Sequence, residues 1–369
     1  MQFIDLKAQY QLIEPEILLS IKQVLDHGQY IMGPEIAALE KQLADFIGVK
    51  HAIVNASGTD ALLMALMALE IQPNDEVITT AFSFFATAEV ISLCHAKPIF
   101  VDIDPLTYNL DPAKLEAAIT PKTKAIMPVG LYGQCPDMDE INAIAAKYNL
   151  PVIEDAAQSF GATYKGHYSC NLSSIGCTSF FPSKPLGGYG DSGACFTNDD
   201  LLAQKLIEIR VHGQSGRYKH SRIGINGRMD TIQAAILLQK MVLFPAEIIK
   251  RQEIAARYDA LLSSLVQTPH IAAHNSSVYA QYTIEVKNRD AFQQSMQADG
   301  IPTAIHYPVP MHQQKALEHL PYAKAAFPHA ERASKGVLSL PMHPYLKEEE
   351  QHRVVNAVKK ALQQEAAVA

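Results

Sequence analysis

Thr178-Ser179-Phe180-Phe181-Pro182-Ser183-Lys184-Pro185-Leu186-Gly187-Gly188-Tyr189-Gly190-Asp191-Ser192-Gly193 is the stretch around which the chain is organised. The mostly apolar run Ile175 to Phe181 predicts a buried strand, which Pro182 ends. Lys184 then stands between two prolines, on a loop that runs into Gly187, Gly188, Gly190 and Gly193. The prolines fix φ locally, and the glycines let backbone approach a ligand without a Cβ in the way. Such a loop holds one amine at a fixed point. The plainer reading is a solvated loop lysine, and the rest of the chain decides between the two.

Working outward, short apolar runs alternate with helical patterns. His51 to Val54, Glu76 to Thr80, Pro98 to Val101, Ala125 to Val129, Val152 to Glu154 and Ala194 to Thr197 read as strands. Helical spacing marks 9–26, Glu35 to Phe46, the segment after Thr59 through Leu69, Met138 to Tyr148 and Leu201 to Arg210. This order predicts βαβ units and an α/β fold with a mainly parallel sheet sandwiched by helices. In such sheets ligands lie beyond the carboxyl ends of the strands. Four candidate groups fall at strand ends: Ser57 to Thr59, Phe84 and Phe85, Asp155 and Gln158, and Lys184.

Further on, His212 to Gly227 is polar, Gly-rich and long for a connector, which predicts a functional or subunit-bridging loop. A helical pattern from about Thr231 to Leu265, expected to break near Pro245, marks the passage to a second domain. The division is therefore 1–240 for a large domain and 241–369 for a smaller α+β one.

Composition bounds the function. The 369 residues are 48% hydrophobic and 19% charged, as in an ordinary globular protein. A net charge of −7 argues against a nucleic-acid partner held by phosphate neutralisation. The five cysteines lack CxxC spacing, so neither a disulfide framework nor a zinc site is expected. No metal site is expected at His306 and His312 either. The N-terminus has no basic region followed by an apolar stretch, and no window reads as a membrane span, so a cytoplasmic protein without a membrane partner is expected. Gly188, Gly190 and Gly193 match GxGxxG, but that fingerprint needs a helix after it, and Ala194 to Thr197 is β-like.

One chemistry uses all four strand-end groups. A lysine amine forms Schiff bases with aldehydes. Ser57, Gly58 and Thr59 at a helix N-terminus present N–H and hydroxyl donors to an anion, although an ordinary N-cap uses the same residues. An aromatic face stacks on a flat heterocycle, and an aspartate keeps a pyridine nitrogen protonated. Together they describe a pyridoxal 5′-phosphate (PLP) site.

With these residues in place, the chain resembles the fold-type I, PLP-dependent DegT/StrS-type sugar aminotransferases over essentially its whole length. The likeness is carried by Asn55-Ala-Ser-Gly-Thr-Asp-Ala-Leu62, Glu154-Asp-Ala-Ala-Gln-Ser159, Ser179-Phe-Phe-Pro-Ser-Lys184, Gly190-Asp-Ser-Gly-Ala194 and Gly224-Ile-Asn-Gly-Arg-Met-Asp230. The resemblance implies that Lys184 carries the cofactor, that Asp155 pairs with its pyridine nitrogen, and that Gln158 contacts its ring hydroxyl. It also implies that Phe85 stacks on the ring and that Gly58, Thr59 and Ser179 hold the phosphate. Asn226 would reach that phosphate from a neighbouring subunit of a homodimer. Members with histidine at the lysine position are dehydratases; Lys184 favours transamination.

Within the family, His27-Gly-Gln-Tyr-Ile31, Leu131-Tyr-Gly-Gln-Cys135, His306-Tyr-Pro308 and Ser339-Leu-Pro-Met-His-Pro-Tyr345 resemble members that aminate a UDP-linked 3-keto-N-acetylglucosaminuronate from L-glutamate, for bacterial surface polysaccharide. A uronate needs a cation, and Arg228 is the candidate, with a structural or dimer-contact role as the plainer reading. His306 and Tyr307 are candidate sugar-nucleotide contacts, with domain packing as theirs. A different keto sugar, or a non-catalytic binding protein on the same fold, are the alternatives.

Overall fold

In the computed structural model, which describes residues 1–320 and 326–368 (365–368 as backbone only), the strands assemble much as their apolar runs predict. Strands β1 (His51–Asn55), β2 (Glu76–Thr80), β3 (Lys97–Val101), β4 (Thr123–Met127), β5 (Ile153–Asp155), β6 (Ile175–Ser179) and β7 (Gly193–Thr197) lie side by side in the order β1-β7-β6-β5-β4-β2-β3. Parallel bridges Ile126–Val152 and Val129–Asp155 join the two halves. The sheet is parallel from β3 to β6. Strand β7 alone runs against both of its neighbours, β1 and β6. An apolar run reads the same in either direction, so this reversal is invisible in the sequence.

Strand β6 ends at Ser179, two residues before the end of its apolar run. The Ser179 side chain accepts the Phe181 N–H at 3.2 Å, and the Phe180 N–H pairs across to the Ser192 carbonyl at 2.8 Å. The chain thus turns into the Lys184 loop ahead of Pro182. Gly193 opens strand β7 rather than a helix, so the GxGxxG match has no dinucleotide-binding context.

Helices cover both faces. Ala61, Leu62, Met64, Ala65, Leu66 and Ala68 of the Gly58–Ala68 helix pack on one side of the sheet with Leu206 and Ile209. On the other, Ile36, Leu39, Leu43, Phe160, Phe180, Phe196 and Phe244 form a second cluster. Each face needs its own cover because strands of a central sheet are apolar on both sides.

The Thr231–Leu262 helix runs through Pro245 without a break, contrary to the expected interruption. Tertiary burial of Met241, Phe244 and Glu247 around the proline outweighs the lost hydrogen bond. This helix is also apolar and long enough to cross a membrane by composition (mean hydropathy 1.5), which the sequence reading did not anticipate. Here it packs against the Glu14–His27 and Pro34–Ile47 helices. Its second half joins a separate apolar cluster with strands Tyr282–Glu285 and Val337–Leu340 and helices Arg289–Ala298 and Glu348–Val368. The Gly-rich 212–227 segment contains a hairpin, Gln214–Gly216 with Lys219–His220.

Phe160 is 1% exposed and touches the rings of Phe46, Phe180, Phe196 and Phe244. Phe160→Ala is expected to cost about 3–5 kcal/mol, read as a lower midpoint in urea unfolding with an unchanged slope.

Candidate active site

The residues singled out at strand ends do converge. Ser57 caps the Gly58–Ala68 helix, its side chain accepting the Asp60 N–H at 3.0 Å. The plainer N-cap reading is therefore correct for Ser57, and it leaves the remaining N–H groups of the first turn available. A Cβ on Gly58 would lie 2.5 Å from the Cβ of Ser179, and one on Gly193 would lie 2.6 Å from the carbonyl of Ser57. Three segments thus meet at a spacing that excludes a side chain at Gly58 and at Gly193. They form a small cradle of donors from Ser57, Gly58, Thr59 and Ser179 at a positive helix end.

Asp155 ends strand β5, 5% exposed. Thr87 donates to its Oδ2 at 2.8 Å and the Ala157 N–H to its Oδ1 at 3.2 Å. Burial raises the Asp155 carboxyl, while Thr87, the Ala157 N–H and the positive charge of Lys184 pull it back down. Burial lowers the Lys184 amine, and Asp155 opposes that shift. The two groups are thus electrostatic partners. An amine less fully protonated than usual is the more nucleophilic one.

The Lys184 loop is held from both ends. The Lys184 N–H donates to the Phe181 carbonyl at 2.8 Å and the Gly188 N–H to the Phe180 carbonyl at 2.7 Å. A Cβ on Gly187 would meet the Pro182 carbonyl at 2.5 Å, so glycine is required there.

Gln158 uses both ends of its amide. Its Oε1 accepts the Tyr132 N–H at 2.8 Å and its Nε2 donates to the Tyr307 hydroxyl at 3.0 Å. One amide proton is left for a further partner. The Tyr132 hydroxyl donates to the His306 carbonyl, and His306 Nδ1 meets Ser339 Oγ at 2.9 Å. Burial first, and then the Lys184 charge, push His306 down to about 4. Burial pushes the Tyr307 phenol up, Asp155 adding to it and the Gln158 hydrogen bond opposing. Lys184, Asp155, Gln158, His306 and Tyr307 are thereby one cluster.

Two further placements concern the aromatic residues and the pair Asn226 and Arg228. Phe85 is the N-cap of the Ala86–Leu93 helix and is partly buried against the apolar cluster that includes Phe82, Phe100 and Phe327. The ring presented outward beside Tyr307 is Phe84, 56% exposed, with centroids 6.0 Å apart. Asn226 and Arg228 line a cavity of about 440 Å³ with Ile31, Ala56, Gly190, Asp191, Asp230 and Gln233. Arg228 Nε is buried there with no hydrogen-bond partner. Thr87 and Tyr132, neither of them a candidate from the sequence, hold Asp155 and Gln158 in place. A lone threonine in a helix carries no motif; Tyr132 lies within the Leu131-Tyr-Gly-Gln-Cys135 stretch, which gives it no role by itself, and adopts a positive φ of 59°.

A lysine tuned by burial, a buried carboxylate and a donor cradle are the parts of a covalent cofactor site, and the sequence comparison identifies the cofactor's family. Residues 11–359 match the model of the DegT/DnrJ/EryC1/StrS aminotransferase family. The chain belongs to this family. It is similar to the UDP-2-acetamido-2-deoxy-3-oxo-D-glucuronate aminotransferase of Pseudomonas aeruginosa, 58% identical over 94% of this chain and 96% of that one. It is also similar to a pleiotropic regulatory protein of Geobacillus stearothermophilus, 46% identical over 96% of each. Among solved structures it superposes on NtdA from Bacillus subtilis with bound cofactor PMP, with a TM-score of 0.89 and 36% identity, covering 95% of this chain and 82% of that one.

The chain is accordingly a PLP-dependent aminotransferase of fold-type I. The residues present fit the cofactor. The close approach at Gly58 and Ser179 leaves a helix N-terminus that would hold the phosphate, and Lys184 and Asp155 would supply the amine and the carboxylate.

His306 is held neutral, with its folded pKa below its unfolded one. The stability it contributes is present above about pH 6.5 and lost as the pH falls towards 4. Melting temperatures of wild type and His306→Asn are expected to converge across that interval, the variant showing the flatter profile.

Proposed function

We propose that this aminotransferase takes the amino group of L-glutamate and places it on C3 of a UDP-linked 3-keto-N-acetylglucosaminuronate, for bacterial surface polysaccharide such as O-antigen. Two things support the substrate: the 58% identity to an enzyme named for that sugar, and Arg228. Its buried, unpartnered Nε in an open cavity is a cation available to a carboxylate. Asp191 and Asp230 share the cavity, and they would repel an anion placed anywhere but on the guanidinium. Arg228 is the observation that carries the uronate reading.

The roles follow from the cluster. Lys184 Nζ is the group we assign to hold the cofactor and, once released by an incoming amine, to take a proton from the substrate carbon and return it. When bound, the cofactor supplies the electron sink. Asp155 would face its pyridine nitrogen; a cation there would reverse the burial shift and keep the carboxylate ionised. Gln158 has one amide proton for the ring hydroxyl, and Ser57, Gly58, Thr59 and Ser179 have donors for the phosphate. We infer that Phe84, rather than Phe85, supplies the stacking face. His306 and Tyr307 stand beside Lys184 and are assigned to the sugar nucleotide.

We also infer a homodimer with shared sites in a cytoplasmic enzyme. Leu12, Leu18, Leu19, Leu25, Tyr30 and Ile31 are exposed on the N-terminal helices and the loop after them, and Tyr218 and Ile223 lie on or beside the 214–220 hairpin. Asn226 is exposed and lies in the Arg228 cavity, as a residue serving a neighbouring subunit would. The passage between large and small domains is assigned to the Thr231–Leu262 helix, near the proposed 240/241 boundary.

The absorption spectrum of the purified enzyme is the direct test. Its visible band is expected to bleach with L-glutamate and return with the 3-keto uronate. A band untouched by glutamate would overturn the donor. Arg228→Ala is expected to raise KM for the uronate roughly 10- to 100-fold, the loss of one bidentate charged pair, and to spare a neutral keto sugar. Equal loss on both sugars would remove Arg228 from carboxylate recognition.

A further inference from the structure

The turn that carries both Asp155 and Gln158 is tied at each end to a single hydroxyl that none of the assignments above uses. We propose that Ser169 is a positioning residue for the cofactor site, its hydroxyl clamping the Asp155–Gln158 turn between Glu154 and Ser159. The inference rests on the roles given above to Asp155 and Gln158.

Strand alternation sends Glu154 to the face opposite Asp155. There Ser169 Oγ donates to Glu154 Oε1 at 2.7 Å, and the Cys170 N–H donates to Oε2 at 2.8 Å. Ser159 Oγ lies 2.9 Å from Ser169 Oγ. The one Ser169 proton goes to the carboxylate, so Ser159 is the donor in that second bond. Glu154, Ser159 and Ser169 are each 0% exposed, so water does not compete for these bonds. The chain Glu154–Ser169–Ser159 therefore bridges the residue before Asp155 and the residue after Gln158.

The turn has little other freedom. The Gly130 N–H donates to the Asp155 carbonyl at 3.0 Å, and a Cβ at Gly130 would overlap the Ser159 side chain. Ser159 is thus wedged between the Gly130 backbone and Ser169. The Ser169 N–H donates to the Ala162 carbonyl at 2.9 Å, which fixes the hub itself. Displacing Ser159 moves Gln158, whose amide spans Tyr132 and Tyr307. Burial raises the Glu154 carboxyl to about 7, the Ser169 hydroxyl and the Cys170 N–H pulling it partly back and the Asp155 charge adding to the rise.

Ser169→Ala leaves Glu154 Oε1 and the Ser159 hydroxyl unpaired in the core. In holoenzyme prepared with PLP, the variant is expected to bind the cofactor roughly 5-fold more weakly, the worth of about one buried hydrogen bond. The pH midpoint of its visible absorption band is expected to shift, because the Asp155 carboxylate no longer sits where it did. Tyr258→Phe, which loses a buried 3.1 Å bond to the Pro341 carbonyl in the other apolar cluster, serves as the stability control. It should lower the melting temperature and leave affinity and midpoint alone. If Ser169→Ala does not fold, Ser159→Ala removes only the outer bond and should itself shift the midpoint from the wild-type value. A midpoint and affinity matching wild type in the Ser variant that folds would overturn the proposal. Asp155→Asn separates the two levels. If it leaves the band unchanged, the role of Asp155 fails and the clamp fails with it. If it moves the band while Ser169→Ala does not, the clamp alone is wrong.

Discussion

The site depends on one constraint, the close approach of backbone from three strand ends. At Gly58 and Gly193 the segments lie so near Ser179 and Ser57 that an added methyl group does not fit. That spacing leaves the N-terminal N–H groups of the Gly58–Ala68 helix facing a common space instead of a side chain. It also determines where β6 must stop, and so where the Lys184 loop starts. Reversal of β7 is part of the same arrangement. Running against β6 and β1, it returns the chain from the lysine loop directly past Ser57.

On this frame the ionisable groups tune one another. Asp155 is buried and Lys184 half-buried, and each carries the charge that offsets the other's burial. His306 feels the same amine and stays neutral. Hydrogen bonds from Thr87 and Tyr132 then hold orientation, which electrostatics alone does not.

Much of this was legible in the chain. Lys184, Asp155 and Gln158 sit in strand-end motifs, and strand ends are where an α/β sheet presents its residues. Ser57 was legible as a cap and as a cradle together, since both uses need the same unpaired donors. Other features had no signal. The direction of β7 leaves no trace in an apolar run, and Pro245 reads as a break unless the burial around it is known. Phe84 and Phe85 are adjacent and identical, and only the start of the helix at Ala86 decides which ring turns inward. The Ser169 bridge joins positions ten and fifteen residues apart through side chains common in any loop.

The unbroken Thr231–Leu262 helix has a mechanical consequence. At 1.5 Å per residue its 32 residues make a rod of about 48 Å. Its first half gives Ala234, Leu237, Met241 and Phe244 to one apolar cluster, and its second gives Ile254, Ala255, Tyr258 and Leu262 to another. Neither cluster can come apart without stripping cover from the shared rod. The two parts are therefore joined as a girder joins two floors: they bear load together, and heat is expected to bring them down in a single cooperative step rather than one after the other.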